Sequence, residues 1–460
     1  VDKGLVKELS GLIGPENVFA DRAELLCYSY DASGLEFLPD LVVLPASTED
    51  VAKVMAFSYE RAIPLFPRGA GTGTTGASLP KGGGVVLSMT RMNRILSINP
   101  PDLMAEVEPG VVTGELQDRV ASKGLFYPPD PASLRFCTIG GNVATGAGGP
   151  RAVKYGVTRD YIMGLEVVLP GGDVIQTGVK TAKGVVGYDL ARLMVGSEGT
   201  LGVVTKVSLR LIPAPEAVGT LISFFRETED ATRAVAALFS CGILPRCAEF
   251  LDRLSLDCII DSLGFGLPDS AGSMLLVEVD GPKDSIPAQL TGVAKVFTDC
   301  GAINIRAARN DDEAGLFWEA RRSLSPAIKK LGFPHKINED ICVPRHALPD
   351  ITSRIAEISR ETGLTILTFG HAGDGNLHVN ILLDKGKEAQ SARAEAAVRE
   401  IFQATLTLGG TISGEHGVGL TKKAYVGMEL DKRSCGIMRD IKTVFDPKGL
   451  LNPAKMFPEV

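Results

Sequence analysis

Nowhere does this sequence reach the roughly 18 consecutive apolar residues that a membrane-spanning helix requires, and its N-terminus lacks the basic, apolar and small-residue succession of a secretory signal. It reads as a soluble, cytoplasmic chain without a transmembrane segment, peripheral to a membrane only through a partner. It begins at Val1 rather than Met, which leaves room for a processed segment upstream. Basic residues never run beyond a pair, and Lys+Arg 48 against Asp+Glu 55 gives a net charge of -7. Nucleic-acid binders carry a basic surplus or stripe, so no nucleic-acid partner is expected. The eight cysteines (Cys27, Cys137, Cys241, Cys247, Cys258, Cys300, Cys342, Cys435) show neither a C-x-x-C pair nor an iron–sulfur spacing. They are expected to be reduced and mostly buried. Histidine is scarce and lopsided: all five lie after position 334, so imidazole chemistry must come from the back of the chain.

What is abundant is glycine, 52 among 460 residues, with 25 of them between Gly69 and Gly202. At about 150 residues per domain the length implies two or three domains. Glycine supplies no side chain to pack and costs entropy on folding, so this density points to close backbone approach to a ligand. Between the glycines, short β-branched runs read as strands: Leu41 to Leu44, Gly84 to Ser88, Met104 to Val107, Leu165 to Leu169, Val203 to Leu209. Thr48 to Glu60 and Thr113 to Lys123 read as amphipathic helices. The loop PRGAGTGTTGAS, Pro67 to Ser78, can aim successive N–H groups and hydroxyls at an anion. It is no P-loop, because no Lys-Ser/Thr follows the last glycine. A nicotinamide Rossmann unit is also disfavoured, for lack of an acidic residue closing a βαβ unit about 20 residues on.

Beyond Pro213-Ala-Pro215, strands (Gly219 to Phe225, Ser273 to Asp280) alternate with helices (Thr228 to Leu238, Ala288 to Asp299, Asp311 to Lys330), and the last 35 residues read as a helix and a Pro/Gly-punctuated tail. In TILTFGHAGDGNLHVNILL, Thr365 to Leu383, the Ala372 to Gly375 turn joins two β-rich runs. His371 and His378 then flank one hairpin, where their imidazoles can converge. SGEHGVG, Ser413 to Gly419, sets Glu415 and His416 between glycines. Three metal-capable side chains and one extra base suit a catalytic metal site. Arg321, Arg322 and Ser325 fall on one helix and Lys336 in the extended stretch after it; arginine offers a planar fork for a carboxylate. His335 and His346 have no motif around them and read as structural or surface residues.

The first glycine loop, PPDP (Pro128 to Pro131), the block Thr138 to Val174 and GSEGTLGVVT (Gly196 to Thr205), in that order, resemble the FAD-linked oxidases typified by vanillyl-alcohol oxidase and p-cresol methylhydroxylase. The histidine blocks resemble a narrower branch, that of the glycolate oxidase D-subunit, D-lactate dehydrogenase and D-2-hydroxyglutarate dehydrogenase. The resemblance implies an α+β fold: a two-subdomain FAD-binding domain over 1–213, an α+β cap domain with an antiparallel sheet and the metal site over 214–424, and a C-terminal helical segment, 425–460, packing back on the FAD domain.

It further implies that Arg68, Gly69, Ala70, Gly71, Thr72 and Gly73 hold the FAD pyrophosphate, and that Pro131, Ser133, Thr138, Gly141, Asn142, Gly148, Gly149 and Tyr155 line the flavin. Gly202 and Val203 would approach the adenine, and Asn452 would complete the cofactor set. With no histidine before His335 and Cys137 one place away from the position expected for a thioether, the FAD should be non-covalent. His371, His378 and Glu415 would ligate a divalent metal, zinc first, with iron(II) or manganese also fitting. His416 would be the general base, and Arg321, Ser325 and Lys336 would contact the substrate. The expected reaction is oxidation of a small D-2-hydroxy acid of the D-lactate, glycolate or D-2-hydroxyglutarate class to the 2-oxo acid. Electrons would pass to a quinone, cytochrome, electron-transfer flavoprotein or iron–sulfur subunit, within a hetero-complex or a homodimer. The alternatives are a metal-independent FAD alcohol oxidase and a flavoprotein subunit of an electron-transfer complex.

Overall fold

A computed structural model describes residues 3–262 and 266–458 and divides the chain into two compact units. The first comprises 1–148, 157–214 and 415–460; the second comprises 149–156 and 215–414. These bounds differ from those the resemblance implies, in which 149–156 falls in the FAD-binding segment and 415–424 in the cap.

The first unit holds two sheets. In the smaller, Val85–Ser88 runs parallel to Leu41–Val43 and to Leu65–Arg68, and Val18–Phe19 pairs antiparallel at the edge. Leu41, Val42 and Val43 are all buried, the continuous apolar pattern of a strand covered on both faces. Helix Thr48–Glu60 covers the sheet through Val51, Val54 and Met55, and Ser47 caps it by accepting from the Asp50 N–H at 3.1 Å. The larger sheet is antiparallel, in the order Ile95–Asn99, Met104–Val107, Val203–Arg210, Ile162–Val168, Val174–Gly178. Its core gathers Val107, Val167 and Val207 with Leu116 and Val120 of helix Thr113–Ala121, and Ile441 and Phe445 of helix Lys432–Phe445 pack against it.

The second unit is built on one seven-stranded antiparallel sheet, in the order Asn304–Ala307, Ala217–Phe225, Ser273–Gly281, Cys247–Asp252, Thr365–Gly370, Asn376–Leu383, His335–Cys342. Helix Asp311–Ala327 buries Phe317, Ala320 and Leu324 against it. This helix stops short of the expected Lys330: Pro326 lies in its last turn, and a 3-10 turn, Ile328–Leu331, follows. All eight cysteines are free, but only Cys137, Cys247, Cys258 and Cys435 are buried. Cys27 and Cys241 are exposed where their helices end, so the expectation of mostly buried thiols is corrected.

Asp252 caps helix Arg253–Ile259, accepting from the N–H of Ser255 at 2.8 Å and of Thr368 at 2.5 Å. Burial pushes its carboxyl up from 3.8 to about 6. A raised acid binds protons more tightly in the folded state, so its contribution is complete below 3.8 and is lost as the pH rises through about 6. Asp252→Asn should remove that loss. Melting midpoints of the wild type should fall relative to the variant over this interval, and parallel curves would refute a buried protonated acid.

Candidate active site

In the first unit the loop after strand Leu65–Arg68 walls a cleft of about 260 Å³. Arg68 is buried and holds the loop from inside: its guanidinium donates to the Tyr30 carbonyl at 2.8 Å and to Ser78 Oγ at 3.3 Å. Burial draws its pKa below the usual value, with Asp31 and Tyr28 opposing. Gly73 lines the cleft, and a Cβ there would meet nothing within 4 Å, so the space beside it is open to a ligand. Gly69 is the opposite case. A Cβ would strike Thr138 Oγ1, so the loop packs backbone against side chain where helix Ile139–Thr145 begins.

The same cleft is lined by Ala70, Gly71, Thr72, Pro131, Ser133, Thr138, Gly141, Asn142, Gly148, Gly202 and Val203. Three expected cofactor residues are not among those that line it. Gly149 and Tyr155 belong to the second unit, where the Tyr155 hydroxyl donates to Asp280 at 2.7 Å. Asn452 is buried and donates to the carbonyls of Ala77, at 2.9 Å, and Glu198, at 2.7 Å, bracing the loop from behind. Glu415 and His416 also line the cleft, His416 Nε2 lying 3.9 Å from Glu415 Oε1.

In the second unit, the hairpin of Thr365–Gly370 and Asn376–Leu383 sets His378 opposite Phe369. The His371 and His378 rings meet edge to face with centroids 5.1 Å apart. Glu249, fully buried in strand Cys247–Asp252, takes His371 Nδ1 at 2.7 Å on one oxygen. Its other oxygen accepts Arg321 Nε at 2.9 Å and Nη2 at 2.7 Å. Burial raises the Glu249 carboxyl, but His371, Arg321 and His378 outweigh it and leave it below its ordinary range. The Arg321 guanidinium also lies over the Phe369 ring, 4.8 Å from its centroid.

Two residues along the strand from His378, and so on the same sheet face, Asn380 is fully buried with no hydrogen-bond partner for its amide oxygen. Lys336 reaches Ser325 Oγ at 3.4 Å, and burial followed by Lys329 lowers its pKa. Glu249 thus joins Arg321 to His371, which meets His378, while Lys336, paired with Leu382 four residues along from His378 and so on the same sheet face, carries the contact to Ser325. Arg322 instead stacks over Trp318 at 5.9 Å, and His335 and His346 are exposed.

Residues 39–178 match the family described as FAD binding domain, and residues 214–456 match the FAD linked oxidases, C-terminal domain. This chain belongs to the FAD-linked oxidases. It is 43% identical to glycolate oxidase subunit GlcD of Bacillus subtilis (strain 168), over 99% of this chain and 97% of that one. To the D-lactate dehydrogenase of Anaerostipes hadrus it is 36% identical, over 91% and 89% of the two chains. Among solved structures it resembles p-cresol methylhydroxylase with substrate bound (TM-score 0.79, 20% identity, 99% of this chain and 97% of that one). The likeness to 4-ethylphenol oxidase from Gulosibacter chungangensis is similar (TM-score 0.78, 23% identity, 99% and 97%). The fold is accordingly that of the vanillyl-alcohol oxidase and p-cresol methylhydroxylase group, and this FAD-linked oxidase is an oxidoreductase with an FAD-binding domain. Among its described residues no helix is long and apolar enough to cross a membrane.

Four side chains that the structure places in or beside these clusters, Glu249, Asp340, Glu198 and Asn380, are absent from the expected site. Glu249 carried a usable signal, an acid in the middle of the apolar run CAEFLD. Asp340, opposite His378 on the neighbouring strand with Oδ1 3.8 Å from His378 Nδ1, carried a weaker one. Glu198 and Asn380 carried none: each sits in a motif read for its neighbours.

Proposed function

We propose that this chain oxidises a small D-2-hydroxy acid, of the D-lactate, glycolate or D-2-hydroxyglutarate class, to the 2-oxo acid. The observation that carries the reading is the Arg321, Glu249, His371 and His378 cluster in the second unit. Its fixed guanidinium and paired imidazoles suit a substrate with a carboxylate and a neighbouring hydroxyl. The relatives named as a glycolate oxidase subunit and a D-lactate dehydrogenase support it.

The cleft of the first unit fits FAD, because Gly73 leaves room where a side chain would intrude and the loop offers N–H donors and hydroxyls to phosphates. The cofactor is held without a covalent bond. Bound FAD supplies the two-electron acceptor for the C2 hydrogen and its electron pair. The second unit fits a divalent cation at His371 and His378: a carboxylate on Nδ1 of His371 fixes the tautomer and turns Nε2 outward, as in metal-ligating histidines. Two imidazoles favour zinc or iron(II) over calcium or magnesium, and manganese fits once a carboxylate joins them. A bound cation supplies Lewis acidity at the substrate hydroxyl.

Arg321 holds the substrate carboxylate. Glu249 occupies its Nε and Nη2, which leaves Nη1 for the acid. Lys336 adds a second positive charge, and Ser325 a hydroxyl. The sequence resemblance assigns Glu415 as the third ligand and His416 as the base that takes the hydroxyl proton. Electrons then leave to a quinone or a protein acceptor, the latter in keeping with a relative named as a subunit.

The test is anaerobic loss of the visible flavin band on mixing with D-lactate, glycolate, D-2-hydroxyglutarate and L-lactate, before and after chelation and metal return. Bleaching by a D-acid and not by L-lactate, lost with the metal and regained with it, is the expected result. A yellow protein that none of these acids bleaches would overturn the reading.

A further inference from the structure

Glu198 lies in the turn Gly196 to Gly199, which is tied to helix Ile139–Thr145 by the Gly196 N–H on the Val143 carbonyl at 2.9 Å and the Glu198 N–H on the Ala144 carbonyl at 2.7 Å. Its φ of 52° is a left-handed conformation that a non-glycine residue seldom adopts. This backbone turns the side chain inward, where it is buried and forms part of the cleft wall. Neither the cofactor loop nor the proposed substrate chemistry uses this carboxylate. It accepts two successive N–H groups, those of Val418 at 2.6 Å and Gly419 at 2.8 Å, in the segment that begins Glu415-His416. Gly417 makes the approach feasible: its φ is 82°, and a Cβ there would lie 2.6 Å from Glu198 Oε1.

Thr75, from the glycine loop, holds the same segment from another side. Its carbonyl accepts from the Leu420 N–H at 2.7 Å and the Thr421 N–H at 3.2 Å, and its hydroxyl reaches the His416 carbonyl at 3.4 Å. The segment that carries His416 is therefore fastened on both sides to walls of the cofactor cleft.

We infer that Glu198 is a positioning residue for His416: by clamping the Val418 and Gly419 amides it fixes the segment on which His416 stands against the cleft that takes FAD. The inference rests on the reading of His416 as general base. Burial raises the Glu198 carboxyl, while the Val418 and Gly419 N–H groups and then Lys455 and Lys422 favour its charge; as a carboxylate on two backbone N–H groups it is a charge-assisted clamp, stronger than neutral hydrogen bonds. Removing its charge should free the two amides while the glycine loop still retains the cofactor.

The test compares Glu198→Gln, His416→Ala and the double variant as FAD-loaded proteins, with a melting curve and bound-flavin absorbance confirming that each is folded and loaded. Hydrogen exchange of the peptide spanning 413–422 reads the clamp directly. In Glu198→Gln the amides at 418 and 419 should exchange about tenfold faster or more, the loss expected when a hydrogen bond to a charged group is removed. Reduction of the flavin by D-lactate or glycolate should slow by a similar factor with bound FAD unchanged. In the His416→Ala background, Glu198→Gln should slow reduction no further, because two residues acting through one group are non-additive. Should Glu198→Gln itself fail to fold, Gly417→Ala presses on the same carboxylate from the other side and should give the same exchange change. Amides at 418 and 419 that stay protected, or losses that multiply in the double variant, would overturn this inference alone. Near-normal reduction in His416→Ala would overturn the general-base reading and this inference with it.

Discussion

Replacing His416 by alanine should leave the protein yellow and slow its reduction by substrate at least about 100-fold, the lower end of what a positioned general base contributes. Retention of FAD is expected because the groups that suit the cofactor are the backbone and hydroxyls of the loop from Arg68 to Ser78 and the block from Pro131 to Gly148. His416 adds one ring at the edge of that wall. The loss of rate is expected because, on the proposed reading, a proton must leave the substrate as it is oxidised, and a neutral imidazole nitrogen placed at the cleft can accept it. Glu415, whose carboxylate oxygen lies 3.9 Å from His416 Nε2, is the nearest acid in the same segment, and the resemblance assigns it to the metal rather than to the proton. Stopped-flow reduction at saturating D-lactate or glycolate measures the effect. The flavin absorbance per protein controls for cofactor loss, and a variant reduced at near the wild-type rate would remove His416 from the chemistry.

How far the sequence carried this picture depends on the distance over which each feature is encoded. Helix Thr48–Glu60 was legible to its last residue, because Ser47, the acidic first turn and the apolar spacing all lie within the segment itself. The hairpin that brings His371 and His378 together was legible for the same reason: Gly370, Gly373 and Gly375 punctuate two short β runs. The cleft could be anticipated from glycine density alone. What stayed hidden depends on contacts remote in sequence. Glu249 meets Arg321 72 residues away and His371 122 residues away, and its place in the apolar run CAEFLD marks it as a buried acid without naming either partner. Glu198 meets Val418 and Gly419 220 and 221 residues on, and its left-handed backbone has no signature in a glycine-rich turn. Tyr155 shows the converse. It sits within a well-marked cofactor block, yet its hydroxyl is taken up by Asp280, 125 residues away.

Glu249→Gln should be among the most destabilising single changes in the second unit and should also weaken the divalent-cation binding proposed for His371 and His378. The Glu249 side chain has no exposure, and the Arg321 side chain has 10%. Neutralising the acid leaves the guanidinium buried with one amide oxygen in place of a carboxylate. Breaking a buried pair from one side costs about 3–5 kcal/mol, mostly the penalty of stranding the remaining charge. The same carboxylate orients His371 through Nδ1, and loss of such an outer partner weakens metal binding about 10- to 100-fold. The two consequences separate in the double variant. Adding Arg321→Met removes the stranded cation and should recover part of the denaturation midpoint, while metal content stays low because nothing has restored the acceptor on His371. Urea midpoints at neutral pH and metal-to-protein ratios on the purified proteins make the comparison. A loss below about 1 kcal/mol in Glu249→Gln would mean that Arg321 does not depend on this carboxylate as its counter-charge. A full metal complement in the same variant would mean that His371 needs no carboxylate to present its ligating nitrogen.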